Sequence, residues 1–161
     1  MTEPCDLSAV DLRALIGAKK LSPVELVESC LKRIAAVNGT VNAFVALDEE
    51  GALARARDLE AEIAQGRDPG PLAGLPVGIK DLVNVKGLRT TYGSLLFKDH
   101  VPDADDGQIT RLRQAGAIIL GKTNTPEFGS GANTTNRVYG ATTNPFDPAR
   151  TPGGSSGGSA A

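Results

Sequence analysis

Up to Gly66 the apolar residues recur mostly at steps of three and four, so this part of the chain reads as a series of helices. Ser8 followed by Asp11 marks a helix start, with Leu7, Leu12, Leu15 and Ile16 as the apolar set and Gly17 as the stop. A clearer start follows: Ser22 as N-cap, Pro23 at the first helical position and Glu25 three residues on form a capping box. Val24, Val27, Leu31 and Ile34 then predict an amphipathic helix ending at Asn38-Gly39, with one face committed to a partner surface. The short apolar run from Ala43 to Leu47 reads as a strand. From Asp48 to Gln65 the abundance of Ala, Leu, Glu and Arg predicts a long helix. Its buried stripe is Leu53, Ala56, Leu59 and Ile63, and its stop is Gly66.

A polar break at Arg67-Asp68-Pro69-Gly70-Pro71 separates this part from one of different texture, in which Gly, Pro, Thr and Asn are frequent. Val77 to Lys80 predicts a strand, and Gln108 to Ala115 a short helix stopped by Gly116. Ala117 to Gly121 predicts a buried strand, and Thr125-Pro126-Glu127 the start of another helical turn. Gln108 stands where the pattern before Leu112 favours an apolar residue. Residues 129–158 form a long Gly/Asn/Thr/Ser/Pro tract, and loops of that length in compact domains usually serve a site. A glycine-rich turn followed by Ser159-Ala160-Ala161 normally opens a helix; here the sequence stops, which reads as a cut end.

Composition narrows the function classes. The chain is 40% hydrophobic and 22% charged, ordinary for a soluble globular protein, but only 4% aromatic, so Leu, Ile, Val and Ala must fill the core. Seventeen basic and nineteen acidic residues give a net charge of −2, which argues against nucleic-acid binding through a basic face. Cys5 and Cys30 have no C-x-x-C spacing and fit a reducing compartment, with Cys30 a small buried hydrophobe on a helix face. No signal peptide is evident, and no apolar run approaches the roughly 18–20 residues that span a bilayer, so a cytoplasmic protein is expected. His100 is the single histidine and reads as a solvated turn residue. No grouping of His, Cys and carboxylates has metal-site spacing, so neither metal nor cofactor is expected.

Three segments carry candidate chemistry. Lys80 lies in the apolar, strand-like run Leu75-Pro76-Val77-Gly78-Ile79-Lys80-Asp81-Leu82-Val83. One reading is an edge-strand lysine that snorkels to water. The other is a catalytic base. An ordinary lysine pKa of roughly 10.4 leaves the amine protonated at neutral pH, and burial lowers it. A three-unit drop would cost about 4 kcal/mol. Asp81 is adjacent, but strand neighbours point to opposite faces, so it need not pair with Lys80. The second segment is Thr151-Pro152-Gly153-Gly154-Ser155-Ser156-Gly157-Gly158-Ser159. It reads either as a flexible linker or as a loop built for close backbone approach at its serines. No P-loop lysine follows the glycines. The third, Gly121 to Gly131, follows a buried strand, where binding loops usually sit, and reads equally well as a capped turn.

Together these motifs resemble the amidase-signature family. The matching residues are Gly74 to Asp81, Gly121-Lys122-Thr123-Asn124, Glu127-Phe128, Thr143-Asn144-Pro145 and Pro152 to Ser159, all in order. Leu21-Ser22-Pro23-Val24-Glu25-Leu26 is similar to the family's N-terminal region. The resemblance implies an α/β fold, with N-terminal helices packed on the start of a mixed β-sheet. It implies one domain, of which residues 1–161 are the N-terminal part, 1–68 mainly helical and 71–161 the start of the catalytic sheet and loops.

The family uses a Ser–cis-Ser–Lys triad. By position Lys80 matches the lysine and Ser155 the bridging serine, with Gly153, Gly154, Ser156 and Gly157 as the supporting loop. The nucleophile belongs to a second Gly-Gly-Ser motif further along and is absent from this chain; neither Ser156 nor Ser159 matches it. Gly129, Ser130 and Gly131 would face the substrate. The implied activity is hydrolysis of a linear amide through an acyl-enzyme, without metal or cofactor. The expected partner is a small-molecule amide, with no direct nucleic-acid or membrane contact, and the intact enzyme is compatible with a homo-oligomer. The alternatives are a catalytically inactive amidase fragment, an amidotransferase A-type subunit and, as a minor one, a nucleotide-binding α/β module. The chain by itself is expected to lack measurable amidase activity and to be poorly soluble or molten, with apolar faces left uncovered.

Overall fold

The computed structural model describes residues 3–161. The chain divides into two compact units. The first comprises Met1–Ile34, Asp48–Val77 and Thr110–Leu120; the second comprises Ala35–Leu47, Gly78–Ile109 and Gly121–Ala161.

The first unit is built from helices whose starts are chemically marked. Helix α1 (Ala9–Gly17) begins as predicted, the Ser8 side chain accepting the Asp11 N–H. Helix α2 (Pro23–Val41) opens on the predicted box: the Ser22 N–H donates to the Glu25 carboxylate at 3.0 Å, and the Ser22 hydroxyl accepts from the Val24 N–H at 2.9 Å. Val27 and Ile34 of the predicted stripe are buried, Val24 and Leu31 are half-buried at its margin, and Leu26, outside the predicted set, is buried as deeply as Val27. Helix α3 (Glu49–Ala64) is capped by Asp48 and buries Ala52, Ala56 and Leu59; Leu53 and Ile63 stay half-exposed at the flanks of the stripe. Leu12, Ile16, Leu26 and Leu75 form the core of this unit, with Leu7, Leu21, Cys30, Ile63 and Leu72 packed around them. Cys30 is thus a packing residue, half-buried, and burial pushes its thiol up to about 11.

Helix α2 continues two residues past the predicted Asn38-Gly39 stop, and the reason lies in the second unit. Gly39 stays within the helix, and the left-handed residue is Asn42 (φ 53°). The Asn38 amide is spent on the following strand, accepting from the Ala43 and Phe44 N–H groups and donating to the Phe44 carbonyl. Strand β1 (Phe44–Leu47) then pairs antiparallel with β3 (Ile118–Thr123), Phe44 opposite Thr123 and Leu47 opposite Gly121.

Strand β2 (Pro76–Lys80) completes a three-stranded sheet in the order β1-β3-β2. Residue numbers rise together along β2 and β3, as in a parallel pair: Ile118 N–H donates to Leu75 O, and Asp81 N–H to Thr123 O. The sheet is therefore mixed. Strand β3 runs two residues further than predicted, and every residue in it is buried. Helix α4 (Gly107–Gln114) directs Ile109 inward and leaves Gln108 exposed, so the apolar place expected at 108 falls one residue later. Gly116, at φ 86°, ends that turn where a side chain would meet Ala73 and the Pro69 carbonyl.

The long polar tract is ordered. The turn at Glu127–Gly129 is followed by a small antiparallel pair, β4 (Thr135–Asn136) and β5 (Gly140–Ala141), and by the short helix α5 (Gly157–Ala160). The fold is α/β, as the sequence implied.

Candidate active site

Alternation along β2 sets up the site. Ile79 and Asp81 are buried, while Lys80 between them is half-buried and points the other way. Its Nζ donates to the Ser155 Oγ at 2.7 Å and to the Ser156 Oγ at 3.0 Å. Lys80 does lie on an edge strand of the sheet, but its amine is held by the glycine-serine loop. Burial lowers its pKa from the ordinary lysine value. The structure brings all three segments singled out in the sequence together: Lys80 meets the loop of Ser155, and residues 122–125 of the third segment bond to both of the other segments.

The loop is a fixed object rather than a linker. The Gly154–Ser155 peptide bond is cis. The Ser155 carbonyl accepts from the Thr125 hydroxyl at 3.3 Å. The Gly153 carbonyl accepts twice from Thr134, from its N–H at 3.1 Å and its hydroxyl at 2.9 Å. The Gly157 N–H donates to that same Thr134 hydroxyl at 2.9 Å. Gly157 is glycine for want of room: a Cβ there would collide with the Thr134 hydroxyl. Beyond it, Ser159 and Thr123 share a hydrogen bond of 2.7 Å, and the Gly158 N–H donates to the Asn124 carbonyl.

Beneath Lys80 lies a buried ion pair that the sequence did not announce. Lys122 and Asp81 are both fully buried, 3.5 Å apart. The Asp81 carboxylate also accepts from the Thr91 N–H and hydroxyl. The Lys122 ammonium donates to the Val83 carbonyl and to the Thr90 hydroxyl. Burial pulls the Lys122 pKa down to about 8 against the opposing pull of Asp81 and, more weakly, Asp106. Asp81 therefore serves Lys122 rather than Lys80, as the alternation of strand neighbours allows. Only the apolar context of Lys122, after Ile118-Ile119-Leu120, hints at its burial.

A second polar cluster supports the far side. Asn124, also fully buried, donates to the Gly140 carbonyl and the Thr142 hydroxyl. Asn136 donates to the Asn124 side chain at 2.7 Å and to the Thr125 carbonyl at 2.8 Å. Asn124 and Thr125 fall in a segment the sequence singled out, but Thr134 and Asn136 carry no pattern of their own, because each acts through a hydrogen bond to a residue remote along the chain.

The remaining candidates are placed as follows. Ser130 and Gly131 line an open cavity of about 470 Å3, together with Glu127, Ala132, Asn136 and Arg137 among others. Gly129 is turned toward Leu82 instead. Its neighbour Phe128 has a left-handed backbone, φ 50°. His100, read as a solvated turn residue, is half-buried and stacks against the Tyr92 ring at 6.0 Å, with Phe97 edge-on to both. Its polar neighbours in sequence hide this aromatic setting. Among the described residues no three His, Cys, Asp or Glu side chains are grouped as a metal would need, and no helix is long and apolar enough to cross a membrane.

Comparison with known proteins gives a consistent result. The profile of the family described as Amidase matches residues 25–161. The A subunit of the glutamyl-tRNA(Gln) amidotransferase of Acidothermus cellulolyticus is 46% identical over 154 residues, covering 96% of this chain and 30% of that protein. Among solved structures, a bacterial aryl acylamidase of the amidase-signature enzymes superposes with a TM-score of 0.89 at 34% identity, over 94% of this chain and 32% of its own. Fatty acid amide hydrolase superposes with a TM-score of 0.92 at 28% identity, over 98% of this chain and 28% of its own. The chain thus spans about a third of the length of these relatives. With the family profile covering most of its residues and the same fold in solved members, the chain belongs to the amidase-signature family.

Proposed function

We propose that this chain supplies the base and the relay of an amide-bond hydrolase of the Ser–cis-Ser–Lys type. The observation that carries this reading is the 2.7 Å contact from Lys80 Nζ to Ser155 Oγ, made by a lysine whose pKa is lowered by burial. In its neutral form Lys80 takes the Ser155 proton, and Ser155 takes the proton of the attacking serine. In the family that serine lies in a second Gly-Gly-Ser motif further along, which residues 1–161 do not reach. Its oxygen adds to the amide carbonyl, the C–N bond breaks, and the relay returns the proton to the departing nitrogen. Water then cleaves the ester of the acyl-enzyme. Residues 1–161 alone hold the relay without the nucleophile and are expected to turn over no amide. No cofactor enters any step.

A second reading concerns the fate of the nitrogen. The amidotransferase A-type relatives are 44–46% identical to this chain, above the 34% of the aryl acylamidase. That favours an intact protein working as an amidotransferase A-type subunit, with the same cleavage step and a different acceptor. Ammonia release from simple aliphatic amides, aryl amides and glutamine, measured on the full-length natural gene product, separates the two. Turnover of simple amides by the protein alone supports the hydrolase. Glutamine turnover that appears only with partner subunits supports the amidotransferase. No C–N cleavage under either condition would overturn both.

A further inference from the structure

The geometry points to Thr134 as a positioning residue of the relay, the side chain that braces both ends of the loop holding Ser155 against Lys80, alongside the Thr125 hydroxyl on the Ser155 carbonyl. This rests on the amidase reading above and adds a residue to it. The Ser155 hydroxyl is useful only if it stays within hydrogen-bond reach of the Lys80 amine while passing a proton, and Ser155 sits in a loop of glycines with little stiffness of its own. Something outside the loop must hold it.

Thr134 does so on both flanks. Its hydroxyl donates to the Gly153 carbonyl at 2.9 Å, two residues before Ser155, and accepts from the Gly157 N–H at 2.9 Å, two residues after it. Its backbone N–H donates to the Gly153 carbonyl as well, at 3.1 Å. One buried hydroxyl thus uses its donor and an acceptor site on the two ends of the segment that carries the relay serine. Thr134 is itself anchored. Its carbonyl accepts from the Thr142 N–H at 3.0 Å, and the Thr142 hydroxyl donates to the Asn42 carbonyl at 2.7 Å. The segment beside the loop approaches closely: a Cβ on Gly154 would lie 2.9 Å from the Ala132 carbonyl. The Thr134 hydroxyl bonds to the backbone of the loop, so it acts through the loop rather than on the reacting atoms.

The test compares Thr134→Val, which keeps the shape and removes the hydroxyl, with Thr134→Ser, which keeps the hydroxyl, in the full-length natural gene product with any partner subunits it needs. Lys80→Ala is the reference for loss of the relay. Misplacement of a reacting group by about 1 Å costs on the order of a hundredfold in rate. Thr134→Val is therefore expected to lose about that factor in kcat with KM within about twofold, and Thr134→Ser to recover most of it. Should Thr134→Val fail to fold, Thr134→Ala against Thr134→Ser makes the same comparison. Wild-type kcat in the folded variant lacking the hydroxyl, with Lys80→Ala inactive, would overturn the positioning role and leave the amidase reading standing. A parallel loss of kcat and thermal stability that Thr134→Ser does not repair would reduce Thr134 to a structural residue and also overturn it. A wild-type protein without amide turnover, or a fully active Lys80→Ala, would overturn the amidase reading and this inference with it.

Discussion

The two units of this chain are stabilised by different kinds of contact. In the first, Leu12, Ile16, Leu26 and Leu75 make a core of aliphatic side chains, and the helices that bring them together are marked by their own caps, Ser8, Ser22 and Asp48. In the second, the buried residues include Asp81, Thr90, Thr91, Lys122, Asn124, Thr125, Thr134 and Thr142, each bonded to backbone or to another polar side chain. An apolar core tolerates approximate shape, whereas a buried polar network holds only when its members are satisfied, and then it fixes position closely. The 2.7 Å contact between Lys80 and Ser155, on which the proposed relay rests, lies in the second kind of surroundings.

The largest effect that would sharpen this contrast is in the polar unit. Asp81→Asn leaves the Lys122 ammonium buried without its counter-charge, and is expected to lower unfolding free energy by about 3–5 kcal/mol in denaturant titrations. Adding Lys122→Met should cost less than the sum of the two single changes, since the pair acts as one unit. Strict additivity would break the idea of a coupled network. In the helical unit, Leu26→Ala should cost about 2–5 kcal/mol through lost burial and the cavity it leaves. Helix-start chemistry is smaller: Ser22→Ala is expected to cost about 1 kcal/mol. Gln108→Ala, on the exposed face of α4, should change stability by no more than about 0.5 kcal/mol. A larger loss there would mean that the exposed face has a partner.

The same contrast explains what the sequence discloses. The helices of the first unit are legible because their information is local: a capping box and a period of three to four. The departures are local too. The α2 stripe is wider than read, because Leu26 joins Val27 and Ile34 in the interior while Val24 stays at the margin, and α2 runs on because Asn42 rather than Gly39 takes the left-handed conformation. Lys80 and Ser155 are legible through motifs in order, and the structure brings them into contact. The residues that hold them are not legible. Thr134 sits in a tract of Gly, Asn and Thr where nothing local separates a clamp from a turn residue. Lys122 looks like the end of a strand, and its burial follows from Asp81, Thr90 and Val83, which are distant along the chain.

Electrostatics adds a prediction about pH. If neutral Lys80 is the working form, kcat/KM must fall as pH falls through its pKa. Because burial lowers that pKa, the fall should lie below the ordinary lysine value of roughly 10.4. An activity that rises as pH drops through the same range would assign the base elsewhere.

That Lys80 is the base of an amide-cleaving relay is tested most directly by the kcat of the full-length natural gene product against its Lys80→Ala variant, on the amide the wild type cleaves fastest. A base in the relay predicts a loss of roughly a thousandfold or more with the fold intact. A folded Lys80→Ala protein that keeps wild-type turnover would contradict it.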